Sequence, residues 1–308
     1  MRDAFANELL NIMKEDSKVL LLTGDLGFGV FDKIRESYPN NFINIGVAEQ
    51  NMTGVAAGLA IEGFKVYTYS IANFSTFRCL EQIRNDASYH DLNINVVSVG
   101  GGFSYGPLGM SHHATEDISI MRSMPGVTVS VPGTKKEAIG ATRHLASSHG
   151  VGYLRLDKSD YINKNEANQS FTFGKASTIK DGKDITLICS GGILEEAVEA
   201  SSKLEKFNIS CKILSMHTIK PLDTEAIKQA VNDTRGIITI EEHTILGGLG
   251  GAVSEFCMQN SLKPEIFKMI GLNDTFSKVV GDQKFLRKHY NMDSTYIVDQ
   301  VESLLKDV

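Results

Sequence analysis

The sequence predicts an α/β fold of two doubly wound domains. Short apolar runs alternate along it with stretches of helical period, as in a sheet whose parallel strands are joined by crossover helices. That alternation pauses in a polar stretch from Tyr161 to Gly182 and then starts again. With 308 residues, 42% of them hydrophobic, the chain is long enough for about two domains with their own cores.

In order along the chain, a helix is expected over about 2–14 and a strand over 19–23, where Val19 to Leu22 form an unbroken apolar run. A second strand follows at 42–45, read from Phe42, Ile43 and Ile45. The next helix, 49–61, sets Met52, Val55, Ala56, Leu59 and Ala60 at the three-and-four spacing of a helix packed on a sheet. Its small residues Gly54, Ala57 and Gly58 let another backbone come close. A helix over about 76–88, a strand over 94–99, a helix over about 115–123, a strand over 127–131 and a helix over 134–147 complete the first half. The last of these opens with Thr134-Lys135-Lys136-Glu137, a capping box in which hydroxyl and carboxylate satisfy backbone amides reciprocally.

Asn163, Asn165, Asn168, Gln169 and the pair Asp181-Gly182 leave 161–182 polar and without helical period, so the joint is expected there. The division is a first domain over 1–165, a linker over 166–183 and a second domain over 184–308. The second half reads as strand 184–189, helix 193–206, strand 209–215, helix 223–231, strand 236–241, helix 248–259 and a last helix near 294–306. No internal repeat or low-complexity tract interrupts it.

Composition excludes several classes of function. The formal net charge is −6 and no Lys/Arg block occurs, so there is no basic face for nucleic acid. The four cysteines, Cys79, Cys189, Cys211 and Cys257, lie far apart with no CxxC pair, against both a zinc site and a disulfide framework. They read as buried thiols of a reducing compartment. The N-terminus carries no apolar export segment, and no run approaches the roughly 18 apolar residues of a membrane span. A cytoplasmic chain without membrane contact is expected.

The most informative segment is Asn44-Ile45-Gly46-Val47-Ala48-Glu49-Gln50, which places a carboxylate at the opening of the 49–61 helix. Shielding by protein disfavours the charged form of such a group, whereas a helix N-terminus favours it. Glu49 therefore has two readings, a functional carboxyl held out of water or a plain complement to the helix dipole.

This segment, followed by its Gly/Ala-rich helix, resembles the pyrimidine-binding segment of the transketolase family and its relative deoxyxylulose phosphate synthase. The likeness extends from Met1-Arg2-Asp3-Ala4-Phe5 through Thr23-Gly24-Asp25-Leu26, the aromatic run Tyr69 to Asn85, Gly109-Met110-Ser111-His112-His113 and Met121-Arg122-Ser123-Met124-Pro125-Gly126. The second half, with Glu241-Glu242-His243 and Gly247-Gly248-Leu249-Gly250-Gly251, resembles the family's C-terminal domain. The resemblance implies a parallel-sheet pyrimidine-binding domain followed by a smaller, mixed-sheet C-terminal domain.

It also assigns roles. In the family the glutamate hydrogen-bonds the aminopyrimidine of thiamine diphosphate and promotes the imino tautomer that deprotonates the thiazolium; here that residue is Glu49. Phe74 matches the aromatic that stacks on the pyrimidine, with Phe77 and Tyr69 as neighbours able to serve instead. Val47 matches the apolar prop that bends the cofactor, and Asp25 an acidic residue near the thiazolium, a solvated turn aspartate being its other reading. His112 falls at the active-site histidine, suited to proton transfer near neutral pH. His113 replaces the usual glutamine, and Arg2 and Lys158 stand where cations meet the substrate's phosphate.

Other readings of these residues stay open. His112, His113, Glu116 and Asp117 also form a metal-ligand pattern, and the glycines at 247–251 also form a phosphate-cradling turn. Leu108 replaces an acidic residue that reads sugar stereochemistry, and Gly100-Gly101-Gly102-Phe103-Ser104-Tyr105 replaces a stretch with a phosphate-binding histidine. A lysine at 158 in place of arginine lacks the planar fork. These departures count against a standard pentose phosphate acceptor and leave an unphosphorylated or nucleotide-linked sugar open.

The family's diphosphate is held through a divalent ion bound by Gly-Asp-Gly and an Asn pair, since Mg²⁺ takes hard oxygen ligands. This sequence has no Gly-Asp-Gly. The resemblance thus implies half of a split enzyme, a transferase of two-carbon ketol units between sugars. Its partner in an α2β2 heterotetramer would be an N-terminal subunit carrying Mg²⁺ or Ca²⁺ and the diphosphate, with no metal ligands here. The alternatives are the beta subunit of a 2-oxo acid dehydrogenase decarboxylase component and a noncatalytic assembly subunit.

Overall fold

A computed structural model describes residues 1–159 and 171–306. The first half is built from α1 (Arg2–Glu15), β1 (Val19–Thr23), α2 (Asp32–Ser37), β2 (Phe42–Asn44), α3 (Glu49–Ile61), β3 (Lys65–Ile71), α4 (Ala72–Thr76), α5 (Leu80–Gln82), β4 (Ile94–Val99), α6 (Asp117–Ser123), β5 (Thr128–Ser130), α7 (Lys135–Ser147) and β6 (Val151–Leu156). The second half follows with β7 (Ser177–Lys180), β8 (Ile185–Ser190), α8 (Leu194–Leu204), β9 (Cys211–Ser215), β10 (Thr218–Lys220), α9 (Thr224–Asp233), β11 (Gly236–Thr244), α10 (Leu249–Gln259), β12 (Ile266–Leu272), α11 (Gln283–His289) and α12 (Ser294–Lys306).

Two sheets result. The larger has the order β10-β5-β6-β4-β3-β1-β2, and all its pairings are parallel except that of β10. The smaller has the order β12-β11-β8-β9-β7, parallel but for β7 at its edge. This is the two-sheet α/β architecture expected from the alternating pattern. The halves are interlocked, because β10 comes from the second half yet pairs with β5, Thr218 opposite Ser130.

Helices cover both faces of each sheet, which is why the central strands are buried throughout. On one face of the larger sheet Phe5, Leu9, Ile12, Ala138 and Leu145 from α1 and α7 pack on Leu21, Tyr67 and Leu154. On the other, Met52, Ala56, Ile118 and Met121 from α3 and α6 pack on Leu22, Val66 and Val96, in one core with Ile227, Leu249 and Val253 of the second half. A third core lies between the smaller sheet and α8 and α12.

Several elements differ from expectation. The helix expected over 76–88 begins at Ala72 and is irregular, passing from α4 through a 3₁₀ turn at Phe77–Cys79 and α5 to a π-helical turn at Ile83–Ser88. Such departures from α geometry concentrate at functional positions. Strand β7 begins inside the stretch expected to be a linker, and residues 160–170 lie outside the described ones. Strands β3, β6, β10 and β12 and helices α2 and α11 have no counterpart among the elements expected from the sequence. β3 and β6 mix hydroxyl, aromatic and charged residues that tertiary packing buries on both faces.

Candidate active site

The site forms at the carboxyl ends of parallel strands β1, β2, β3 and β4, the place where open α/β sheets leave a crevice. Gly24 and Asp25 follow β1, Asn44 ends β2 and Ala72 follows β3. Asn44 ties two of these ends together. Its Oδ1 accepts from the backbone N–H of Asp25 (3.1 Å) and of Gly46 (2.9 Å), while its Nδ2 donates to Asp25 Oδ1 (2.9 Å). Asp25 is thereby held at a left-handed φ of 56°, with its side chain exposed. Val47, just beyond this clamp, is 77% exposed.

Glu49 opens α3 and is only 2% exposed. Its Oε1 accepts from Ser70 Oγ at 3.2 Å, and Oε2 pairs with Arg78 Nη1 at 3.1 Å. Gly24 borders this pair, and a Cβ there would stand in ordinary contact with Oε1 at 3.5 Å but press on Ser70 Oγ at 3.3 Å. Glu49 thus stands at the helix N-terminus, where a carboxylate complements the dipole, and is shielded inside the crevice.

Phe74 of α4 stands beside it. The Arg78 guanidinium lies 4.3 Å from the centre of the Phe74 ring, and the His112 ring meets it edge-on at 5.1 Å. Asn73 secures the histidine loop by donating from Nδ2 to Ser111 O at 3.0 Å. Phe74, Phe77 and Arg78 form one wall of a cleft of about 810 Å³, closed opposite by the 273–277 loop with Phe276. The lining is mainly apolar, as in most small-molecule sites.

The two adjacent histidines separate. His112 is half-buried, with Nδ1 at 3.0 Å from Ser111 Oγ. His113, expected to bind substrate, lines the cleft but is almost wholly buried. It is 3% exposed, its Nε2 lies 3.1 Å from Gly106 O, its ring packs edge-on to Phe103, and burial pushes its pKa down.

Tyr69 is not brought to Glu49. In β3 successive side chains point to opposite faces, so Tyr69 enters the core against Phe5 (6.1 Å) and Phe31 (4.7 Å) while its neighbour Ser70 reaches the carboxylate. Lys158 and Arg2 lie on the far side of His112. Lys158 Nζ sits 3.9 Å over the Tyr105 ring, whose centre is 6.4 Å from that of His112. Partial burial, and then the charge of Arg2, holds the Lys158 pKa below its ordinary value.

The loop carrying Tyr105 and His112 is fixed by a buried polar network that sequence reasoning missed. Asp117 pairs with Arg155 Nε at 2.9 Å and accepts from the Tyr153 hydroxyl. Arg155 Nη2 donates to Ala114 O (2.9 Å) and to Glu242 O (3.0 Å). Glu242, held by Arg287 and Gln283, accepts from Phe103 N–H at 2.6 Å. His243 Nε2 accepts from Ile118 N–H at 3.1 Å, its Nδ1 lies 2.8 Å from Thr244 O, and burial lowers its pKa to about 4.

Two other readings fail on this geometry. Asp117 is consumed by Arg155 and His113 by Gly106, and among the described residues no three His, Cys, Asp or Glu side chains converge as a metal site. The turn at 247–251 does not cradle a phosphate, because Glu241 already accepts from Leu249 N–H (2.7 Å) and Gly250 N–H (2.8 Å). Burial raises the Glu241 pKa to about 7. Among the described residues no helix is long and apolar enough to cross a membrane.

Comparison with known proteins agrees with this architecture. Residues 1–164 match the transketolase pyrimidine binding domain family and residues 174–297 the transketolase C-terminal domain family. A Methanocaldococcus jannaschii chain described as a putative transketolase C-terminal section is 36% identical, over 99% of this chain and 96% of its own. One of the subunits of the apulose-4-phosphate transketolase of Phocaeicola vulgatus is 33% identical, over 95% and 93%. A solved structure described as a split gene transketolase, inactive beta4 tetramer, superposes with a TM-score of 0.88 at 30% identity, covering 99% of this chain and 97% of its own. In contrast, a 1-deoxy-D-xylulose-5-phosphate synthase of Clostridium kluyveri and a transketolase of Campylobacter jejuni are covered over only 48% and 46% of their lengths. The chain belongs to the transketolase family, as the section that pairs its pyrimidine binding domain with its C-terminal domain.

Proposed function

We propose that the chain is the pyrimidine-side subunit of a split, thiamine-diphosphate-dependent transketolase, which moves a two-carbon ketol unit from a ketose to an aldehyde acceptor. The observation that carries this is Glu49, a carboxylate 2% exposed in a crevice at the strand ends, beside an aromatic face and an apolar cleft. The residues present fit the cofactor's aminopyrimidine. A planar heterocycle needs an aromatic face and a carboxyl for its ring nitrogen, which Phe74 and Glu49 supply. Phe77 borders the same cleft.

Bound thiamine diphosphate supplies a carbon nucleophile and an electron sink that protein side chains lack. Glu49, with Ser70 fixing Oε1, would hold the pyrimidine edge by a hydrogen bond, and Val47 and Asp25 would help to hold and orient the cofactor. His112, with Nδ1 engaged by Ser111, offers its other nitrogen to the ketose carbonyl and hydroxyl oxygens and carries a proton between them. Arg2 and Lys158 meet the anionic end of a substrate. That role favours a phosphorylated or otherwise acidic sugar, in line with the phosphate in the name of the Phocaeicola relative.

The diphosphate and its Mg²⁺ or Ca²⁺ would be held by an N-terminal partner subunit, in an α2β2 assembly. The description of the solved relative as an inactive beta4 tetramer supports the need for that partner. So does the exposure of Phe28 (71%) and Val47 (77%), apolar side chains on the loops around the strand ends.

The test is reconstitution with the partner and assay against ketose donors and aldehyde acceptors. Ketol transfer that disappears in Glu49→Gln while the subunits still associate is expected. Full turnover in that variant refutes the proposal. Decarboxylation of a 2-oxo acid by the pair would favour the dehydrogenase-type alternative, and no change in the partner's cofactor affinity would favour an assembly role.

A further inference from the structure

We infer that Arg78 is the placeholder of the pyrimidine site: its guanidinium contacts both Glu49 and the Phe74 ring, and it must turn out for the pyrimidine to enter. This rests on the proposed function and adds to it a displaceable residue that sets cofactor affinity. A carboxylate 2% exposed needs compensation, and among the described residues its one other side-chain hydrogen-bond partner is the neutral Ser70 hydroxyl. Arg78 Nη1 supplies the countercharge at 3.1 Å. The same flat cation lies 4.3 Å from the centre of the Phe74 ring, a stacking that guanidinium groups favour.

An aminopyrimidine would make those same two contacts, a face on Phe74 and a hydrogen bond with Glu49. Both groups cannot make them at once. Arg78 has room to leave, since its side chain is 48% exposed and it rims a second cleft of about 540 Å³. That cleft contains Glu81, a carboxylate able to receive the displaced cation. The alternative, in which Arg78 stays on Glu49 with cofactor bound, makes the opposite prediction for the same variants.

The experiment is calorimetric titration of thiamine diphosphate, with Mg²⁺ present, into the pair of this chain and its diphosphate-binding partner. Arg78→Ala removes the competitor and is expected to tighten binding about tenfold, which corresponds to ~1.4 kcal/mol. Arg78→Lys keeps the charge without the planar stack and is expected to tighten binding about threefold. A structural role alone would lower melting temperature without tightening binding. Unchanged or weaker affinity in the folded pair overturns the inference, and where Arg78→Ala does not assemble, Arg78→Lys decides by the same criterion. If the wild-type pair binds and Glu49→Gln weakens binding while neither Arg78 variant tightens it, the placeholder fails and the proposed function stands. If the wild-type pair binds no thiamine diphosphate, both fail.

Discussion

Removing the Asp117 carboxylate, as in Asp117→Ala, leaves Arg155 charged, 3% exposed and without its direct counter-ion. Breaking a buried pair on one side costs about 3–5 kcal/mol, most of it the stranded charge. Unfolding entropy near 60 °C is about 2.1 cal/mol/K per residue, so 308 residues give roughly 0.65 kcal/mol/K and the expected fall in melting temperature is about 5–8 °C. The assay is thermal unfolding by circular dichroism and calorimetry. The double variant Asp117→Leu with Arg155→Met removes both charges from the same space and is expected to recover much of the loss. A single variant within about 1 °C of wild type, or a double variant worse than both singles together, would refute the idea that this pair anchors the buried network behind the His112 loop.

Other outcomes follow from the same geometry. Phe74→Ala is expected to weaken thiamine diphosphate binding by the reconstituted pair about 2- to 12-fold, the equivalent of losing an aromatic contact of ~0.5–1.5 kcal/mol. Tyr69→Phe is expected to leave that affinity unchanged, and a loss comparable to that of Phe74→Ala would return Tyr69 to the site. Lys158→Ala is expected to raise KM for a phosphorylated acceptor more than for an unphosphorylated one, and equal effects on both would remove the lysine from phosphate recognition. Acid titration of stability probes two buried groups of opposite sign. His243 is shifted down to about 4, so its contribution is present above the unfolded value near 6.5 and is lost as pH falls from there toward 4. Glu241 is shifted up to about 7, so its contribution is present below about 4.5 and is lost as pH rises toward 7. The two offset each other between about pH 4.5 and 6.5, so Glu241→Gln is expected to steepen the loss on acidification by on the order of 1 kcal/mol per pH unit; an unaltered slope in urea unfolding contradicts this.

What could be read from the sequence was local. Val19–Thr23 is an unbroken apolar run and Glu49–Ile61 a clear three-and-four pattern, and both elements have the bounds those patterns indicate. β3 escapes such reading because Lys-Val-Tyr-Thr-Tyr-Ser-Ile alternates aromatics with hydroxyls, and both faces turn out to be buried. Its parity also decides Tyr69. Strand periodicity separates Tyr69 from Ser70 but does not say which of the two faces the crevice.

Glu49, Phe74 and His112, which contiguous motifs single out, do come together at the strand ends, linked through Arg78 and the Phe74 ring. The site was not legible where the contact spans the chain. Glu242 meets the Phe103 amide 139 residues away, and nothing in either segment announces the other. The adjacency of His112 and His113 suggests a common loop role, yet the two rings have different partners, His112 meeting Phe74 edge-on while His113, which lines the cleft, lies against Gly106 O. Arg78 lies within the aromatic run, but a charge on a helix ordinarily reads as a solvated face. Its place between Glu49 and Phe74 depends on an irregular helix that sequence periodicity does not reveal.

The most direct test of the central claim is a crystal structure of this chain joined to its diphosphate-binding partner with thiamine diphosphate bound. The account predicts a Glu49 carboxyl oxygen about 2.6–3.0 Å from a pyrimidine ring nitrogen, with that ring lying on Phe74. A cofactor whose pyrimidine is more than about 4 Å from Glu49, or which makes no contact with this chain, would contradict it.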